Sequence, residues 1–86
     1  MKSASERLIE AGYDEIVIFE NPSYDDALIG VTTDDRAVYD FNKMVDWLIE
    51  NNGMNDVEAV EWIEYNSARA LPYTEGAPVI MYRLED

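Results

Sequence analysis

A single glycine, Gly53, divides the most strongly amphipathic stretch of the chain, Asp40–Tyr73, into two helices. Upstream of it, Phe41, Met44, Val45 and Leu48 fall at i, i+3, i+4 and i+7, which is one helical face. Asp40 is the natural N-cap, because its carboxylate can accept the first unpaired backbone N–H groups. Gly53 suits the left-handed residue that ends the helix, and Met54 can fold back on Ile49 behind it. Downstream, Asn55 caps a second helix, and Glu58 three residues later completes a capping box. At about 100° per residue, Ala59, Val60, Ile63, Ser67, Ala70 and Leu71 share one side of it. Glu58, Glu61, Trp62, Tyr65 and Arg69 share the other. Pro72 stops it from downstream.

Two helices with apolar faces need something to cover, and the flanks supply β-type segments. Ser3–Ala11 reads as a short helix with Ser3 or Ser5 as cap, Glu6 placed for a capping box and Gly12 as stop. Glu15–Glu20 (EIVIFE) is rich in β-branched and aromatic residues and reads as a buried, central strand. Asn21-Pro22-Ser23 breaks it. Ala27–Val31 and Arg36–Tyr39 read as two strands of a hairpin around the turn residues Thr32–Asp35. Gly30 marks either a bulge or a close backbone approach. Val79–Leu84 (VIMYRL) reads as the last strand. The order α-β-β-β-α-α-β predicts an α+β fold: a small, mainly antiparallel sheet of three or four strands, packed against helices, in one domain. The expected core is Ile16, Ile18, Leu28, Val38, Phe41, Met44, Val45, Leu48, Val60, Ile63, Leu71, Ile80 and Tyr82.

Composition narrows the chemistry. The chain has no cysteine and no histidine. It therefore lacks disulfides, thiolate metal sites, a cysteine nucleophile and the commonest general base. Absence of disulfides fits a cytoplasmic setting. The first residues, MKSASERLIEAG, lack the apolar core of a signal peptide, and no apolar run is long enough to span a bilayer. No phosphate-binding glycine loop, dinucleotide fingerprint or nucleophile elbow occurs. A chain of 86 residues also offers little concave surface for a substrate. The expectation is a protein that is not an enzyme and that uses no cofactor and no metal.

Charge is the largest anomaly. Nineteen acids stand against six bases, a net charge of −13, and no basic residue occurs from Leu8 to Asp35. Such a surface repels nucleic acid and anionic membrane and attracts a basic protein surface. The same charge also serves solubility. The residues that point beyond solubility are Glu58, Glu61, Trp62 and Tyr65, since aromatics supply anchors and carboxylates supply steering. Against this, every amphipathic helix has a polar face. Asp25 and Asp26, beside Tyr24, form a second acidic group with Asp34 and Asp35. Their spacing matches no calcium loop, and turn chemistry accounts for them.

The segments YDDALIGV, RAVYDFNKMVDWLIENNGM, EAVEWIEYNSARALPY and APVIMY, together spanning Tyr24 to Tyr82, resemble a group of small acidic proteins. Those proteins are encoded by bacteriophages and prophages of Gram-positive bacteria. The resemblance implies a phage setting and action in the host cytoplasm, and it assigns no site residues. Early phage genes of this size often encode inhibitors of host enzymes or defence, anti-CRISPR proteins among them. The expected function is thus a non-catalytic inhibitor that mimics nucleic acid toward a basic host or defence protein, such as a CRISPR effector. Its partner-binding residues would be Glu58, Glu61, Trp62, Tyr65, Asp25 and Asp26. The alternative is a structural or accessory protein that forms homo- or hetero-oligomers, for example through the VIMYRL edge.

Overall fold

The computed structural model describes residues 2–84, with the side chain of Ala70 outside the described set. The fold is α+β. Helix α1 (Ala4–Glu10) opens with a capping box in which the Ser3 hydroxyl accepts from Glu6 N and the Glu6 carboxylate accepts from Ser3 N. It closes in a Schellman motif: Gly12 N donates to Ile9 O, Tyr13 N donates to Leu8 O, and Gly12 takes φ +97°. Ala4 and Leu8 bury its inner face.

Strands β1 (Leu28–Val31) and β2 (Ala37–Asp40) form the hairpin. Thr32 N donates to Arg36 O, and Arg36 N donates back to the Thr32 hydroxyl, which closes the turn. The register slips between Leu28 and Gly30, so Ile29 is the extra residue of a bulge. A side chain at Gly30 would meet nothing within 4 Å, so bulging, not close approach, accounts for that position. Strand β3 (Val79–Met81) pairs with β2 in parallel, giving the order β1-β2-β3. The sheet is therefore mixed. The long helical crossover between β2 and β3 is what permits parallel pairing.

Helix α2 (Phe41–Asn52) starts directly from β2. Asp40 is buried and caps it, accepting from Asn42 N at 2.9 Å and Lys43 N at 3.3 Å. The second Asp40 oxygen meets Arg83 Nε at 2.8 Å, which ties the chain beyond β3 to the start of α2. Gly53, at φ +68°, ends the helix as its conformational freedom allows. Phe41, Met44 and Leu48 are buried, and α2 packs on β2, on a 3-10 turn (Asp25–Ala27) and on the next helix.

That next helix, α3 (Asp56–Trp62), opens with the Asn55–Glu58 capping box. It runs on without a break through a π-helical segment (Ile63–Ser67), a short α segment, α4 (Ala68–Ala70), and a 3-10 turn (Leu71–Tyr73). In the π segment Ala68 N reaches back to Ile63 O, five residues away. Ala59, Ile63 and Ser67 are buried, and Val60 and Leu71 partly so. Ala70, expected on the same face, lies outside the described side chains.

Two expectations are corrected. Glu15–Glu20 is not a strand. Ile16 and Ile18 pack against the core while Val17 between them is 39% exposed, so the alternation is real. What is missing is a ladder: Phe19 N donates to the Tyr39 hydroxyl instead of a neighbouring strand. Strand propensity reports fit to a half-buried surface and cannot supply a partner. Tyr82 is 65% exposed, because β3 ends at Met81. Its ring still lies against Phe41, 4.8 Å between centroids.

The centre of the molecule is aromatic. Phe19, Tyr24, Tyr39 and Trp47 meet edge to face at 4.9–6.5 Å. Tyr24 and Tyr39 are fully buried. Tyr24 holds φ +48°, a left-handed backbone that costs a non-glycine residue about 1–2 kcal/mol. Burial of a ring in a packed cluster offsets that cost.

Candidate functional site

The outward side of the α3 run carries Glu58, Glu61, Glu64 and Tyr65, all exposed. Tyr65 is the aromatic among them, at 65% exposure. A large aromatic on a carboxylate-lined helix face is unusual for a solvated surface, since burial is where aromatics gain most. Glu58 has a second duty. Its Oε1 accepts from Asn55 N at 3.0 Å, so one of its oxygens is spent on the helix cap.

Trp62 does not face outward like its neighbours. It is half-buried and packs against the core on the flank of α3. The helical angle assigns it to the polar face, and the segment Phe19–Pro22 lies beside that face. Together they form an open groove of about 390 Å³ lined by Phe19, Glu20, Asn21, Pro22, Trp62 and Asn66, with Ser67 behind. The Asn21–Pro22 peptide at one end is cis. Asn66 donates its side-chain N–H to Trp62 O at 2.9 Å, which leaves its amide oxygen as an acceptor. Asn51 does the same to Trp47 O in α2. The repeated W-x-x-x-N spacing is a signal for this bond that the sequence carries. The other members of the groove come from a distant segment, and no local pattern marks them.

Asp25 and Asp26 sit apart in role. Asp25 is half-buried in the 3-10 turn and accepts Ala4 N at 2.9 Å, while its carbonyl accepts from Arg7 Nη1 at 2.9 Å. It anchors α1 to the turn. Asp26 is exposed beside Lys43, Asp46, Trp47 and Glu50 on one side and Lys2, Arg7 and Glu10 on another. Among the described residues, the acids do not gather into a group of three that could hold a metal ion. Nor is any helix there long and apolar enough to cross a membrane.

The basic residues are largely occupied in holding the fold. Arg7 binds the Asp25 carbonyl, Arg36 binds the Ala77 carbonyl at 2.8 Å, Arg83 pairs with Asp40 and Lys2 pairs with Glu10. Among the described residues, ion pairs engage only the carboxylates of Glu10 and Asp40. The acids of the α3 face are left to project their field into solvent.

The perturbed titrating groups lie in the core, away from that face. Burial raises Tyr39 to about 12, opposed by the hydrogen bond from Phe19 N. Burial also raises Tyr24, opposed by its bond to Ser67. Both are satisfied structural phenols. The arrangement thus offers a charged, aromatic-bearing surface with an adjacent groove. No family model matches the chain, and no curated protein or solved structure matches it significantly.

Proposed function

We propose that this is a non-catalytic binding protein whose α3 face, Glu58, Glu61, Glu64 and Tyr65, engages a basic protein surface. The observation that carries the reading is Tyr65, exposed among three carboxylates that form no ion pair among the described residues, with Arg69 the single base on that face. The ring acts as the anchor, and the acids accelerate encounter and reject acidic partners. Carboxylates spaced along a helix stand in for phosphates, so the fitting partner is a protein that normally handles nucleic acid. The resemblance to small acidic phage proteins supplies a setting in which such a mimic would inhibit a host or defence protein. Asp25 is a poor contributor because its carboxylate holds α1. Asp26 remains a candidate second contact.

Affinity capture from bacterial lysate tests this. A basic protein should be retained at low ionic strength and released as salt rises. Glu61→Lys with Tyr65→Ala should retain far less of it. Retention indifferent to salt, or equal retention by the variant, contradicts the reading.

A second reading rests on the chain beyond β3. Strand β3 is an edge, and Tyr82 and Leu84 just past it are 65% and 96% exposed. An unpaired edge next to exposed apolar side chains favours self-association or an accessory-subunit role. Sedimentation over a wide concentration range separates the self-association branch, and a monomer throughout counts against it.

A further inference from the structure

We infer that the groove between the Phe19–Pro22 segment and the π-helical segment receives an arginine side chain of the basic partner. This rests on the reading above and adds to it a pocket and the side chain that fills it. Three features of the groove select the occupant. Its lining is aromatic and apolar in part, with Trp62, Phe19 and Pro22. The same lining includes three exposed residues that carry acceptor oxygens, Glu20, Asn21 and Asn66. Asn66 is held in place because its own N–H group is committed to Trp62 O. A guanidinium is planar, always charged and donor-only, so it stacks on an indole while its edge donates to surrounding oxygens. A lysine ammonium is more strongly hydrated and lacks the flat face. A carboxylate or phosphate ligand would meet the negative charge of Glu20 there, which repels it.

The groove also joins the outward face. Trp62 lies one residue after Glu61 and three before Tyr65, so residues three and four away on the helix surface border it. Asn66 lies beside Trp62 at the i+4 spacing, as Asn51 does beside Trp47, while Ser67 in the π segment turns inward to Tyr24. Single π turns inside α-helices recur at functional sites.

The test uses tetra-arginine amide and tetra-lysine amide as probes and the intact protein. Each is titrated while the Trp62 indole N–H and the Asn66 and Asn21 side-chain amides are followed by NMR. With tetra-arginine these signals should shift in a saturable way, and tetra-lysine should bind them at least about threefold more weakly. Glu20→Gln and Asn66→Ala, both at exposed positions, should each weaken the response about fivefold, the scale of one exposed cation contact. Their unchanged backbone spectra away from the groove would show that both remain folded. Shifts confined to Glu58–Tyr65, with none at Trp62 and Asn66, overturn the groove and leave the helix face standing. Equal response to tetra-lysine overturns the arginine assignment. No response anywhere overturns both readings.

Discussion

The Tyr24 hydroxyl and the Ser67 hydroxyl lie 2.8 Å apart in the interior, both side chains buried. This bond joins the loop before β1 to the π segment that follows α3. With the β2–β3 ladder and the Asp40–Arg83 pair, it ties the first half of the chain to the second. Leaving one buried partner unsatisfied costs about 1–3 kcal/mol, whereas removing both polar atoms is close to neutral. Ser67→Ala should therefore destabilise the protein by about 1–3 kcal/mol. The double variant Ser67→Ala with Tyr24→Phe should be less destabilised than Ser67→Ala alone. Urea unfolding measures both, and strictly additive losses would contradict the account.

Alkaline pH offers an independent check on the same core. An unfolded tyrosine loses its proton near pH 10.0, while buried Tyr39 holds its proton until about 12. Between those values the unfolded chain binds fewer protons than the folded one, so stability falls as pH rises. The stabilisation is complete below about pH 10 and is lost on passing through about 12. Tyr24 is raised in the same direction. Tyr39→Phe should flatten the decline of unfolding free energy across that window. A decline of unchanged steepness would show that another group drives it.

Asp40 is the junction of β2, α2 and the chain after β3. Its carboxylate accepts two backbone N–H groups and pairs with Arg83. Loss of an N-cap costs roughly 1 kcal/mol, and loss of the buried charge-assisted contacts adds to it. Asp40→Ala should destabilise by about 2–3 kcal/mol. Arg83 is half-exposed, so Arg83→Ala should cost less, on the order of 1 kcal/mol or below. Thermal unfolding of the two variants tests the order, and an equal or larger loss for Arg83→Ala would refute it.

The sequence revealed most where the physics is local. Ser3 with Glu6, Asp40, and Asn55 with Glu58 are caps whose partners sit two or three residues away, and all three form. Phe41, Met44 and Leu48 keep one face because a helix imposes its own period. Local pattern is silent where a partner comes from far along the chain. EIVIFE has strand composition, but Phe19 N finds Tyr39 and not a ladder. Tyr24 follows Pro22 and precedes two aspartates, so nothing nearby marks it as a core residue, and only Phe19, Tyr39, Trp47 and Ser67 converging on it make it one. The helical angle puts Trp62 on the outer face, yet it is half-buried and packs against the core, beside a groove it shares with Phe19 and Pro22. The candidate face was legible as Glu58, Glu61 and Tyr65; the groove beside it was not.

Glu58 and Glu61 should respond differently to substitution, because only Glu58 belongs to a capping box. Glu58→Gln keeps an acceptor for Asn55 N and should leave stability within about 0.5 kcal/mol, while Glu58→Ala should lose roughly 1 kcal/mol. Glu61→Gln should be neutral to folding and act on binding alone. A calorimetric scan of the three proteins checks this, and a destabilised Glu61→Gln would assign that residue a role in the fold.

The most direct test of the binding face is the affinity of the captured basic partner, once purified, for wild type and for Glu61→Lys/Tyr65→Ala across a salt series. A buried aromatic anchor and a reversed charge together predict at least a tenfold loss of affinity and a shallower dependence on salt. Equal affinity with an equal salt slope would place the interface elsewhere on the molecule and contradict the account.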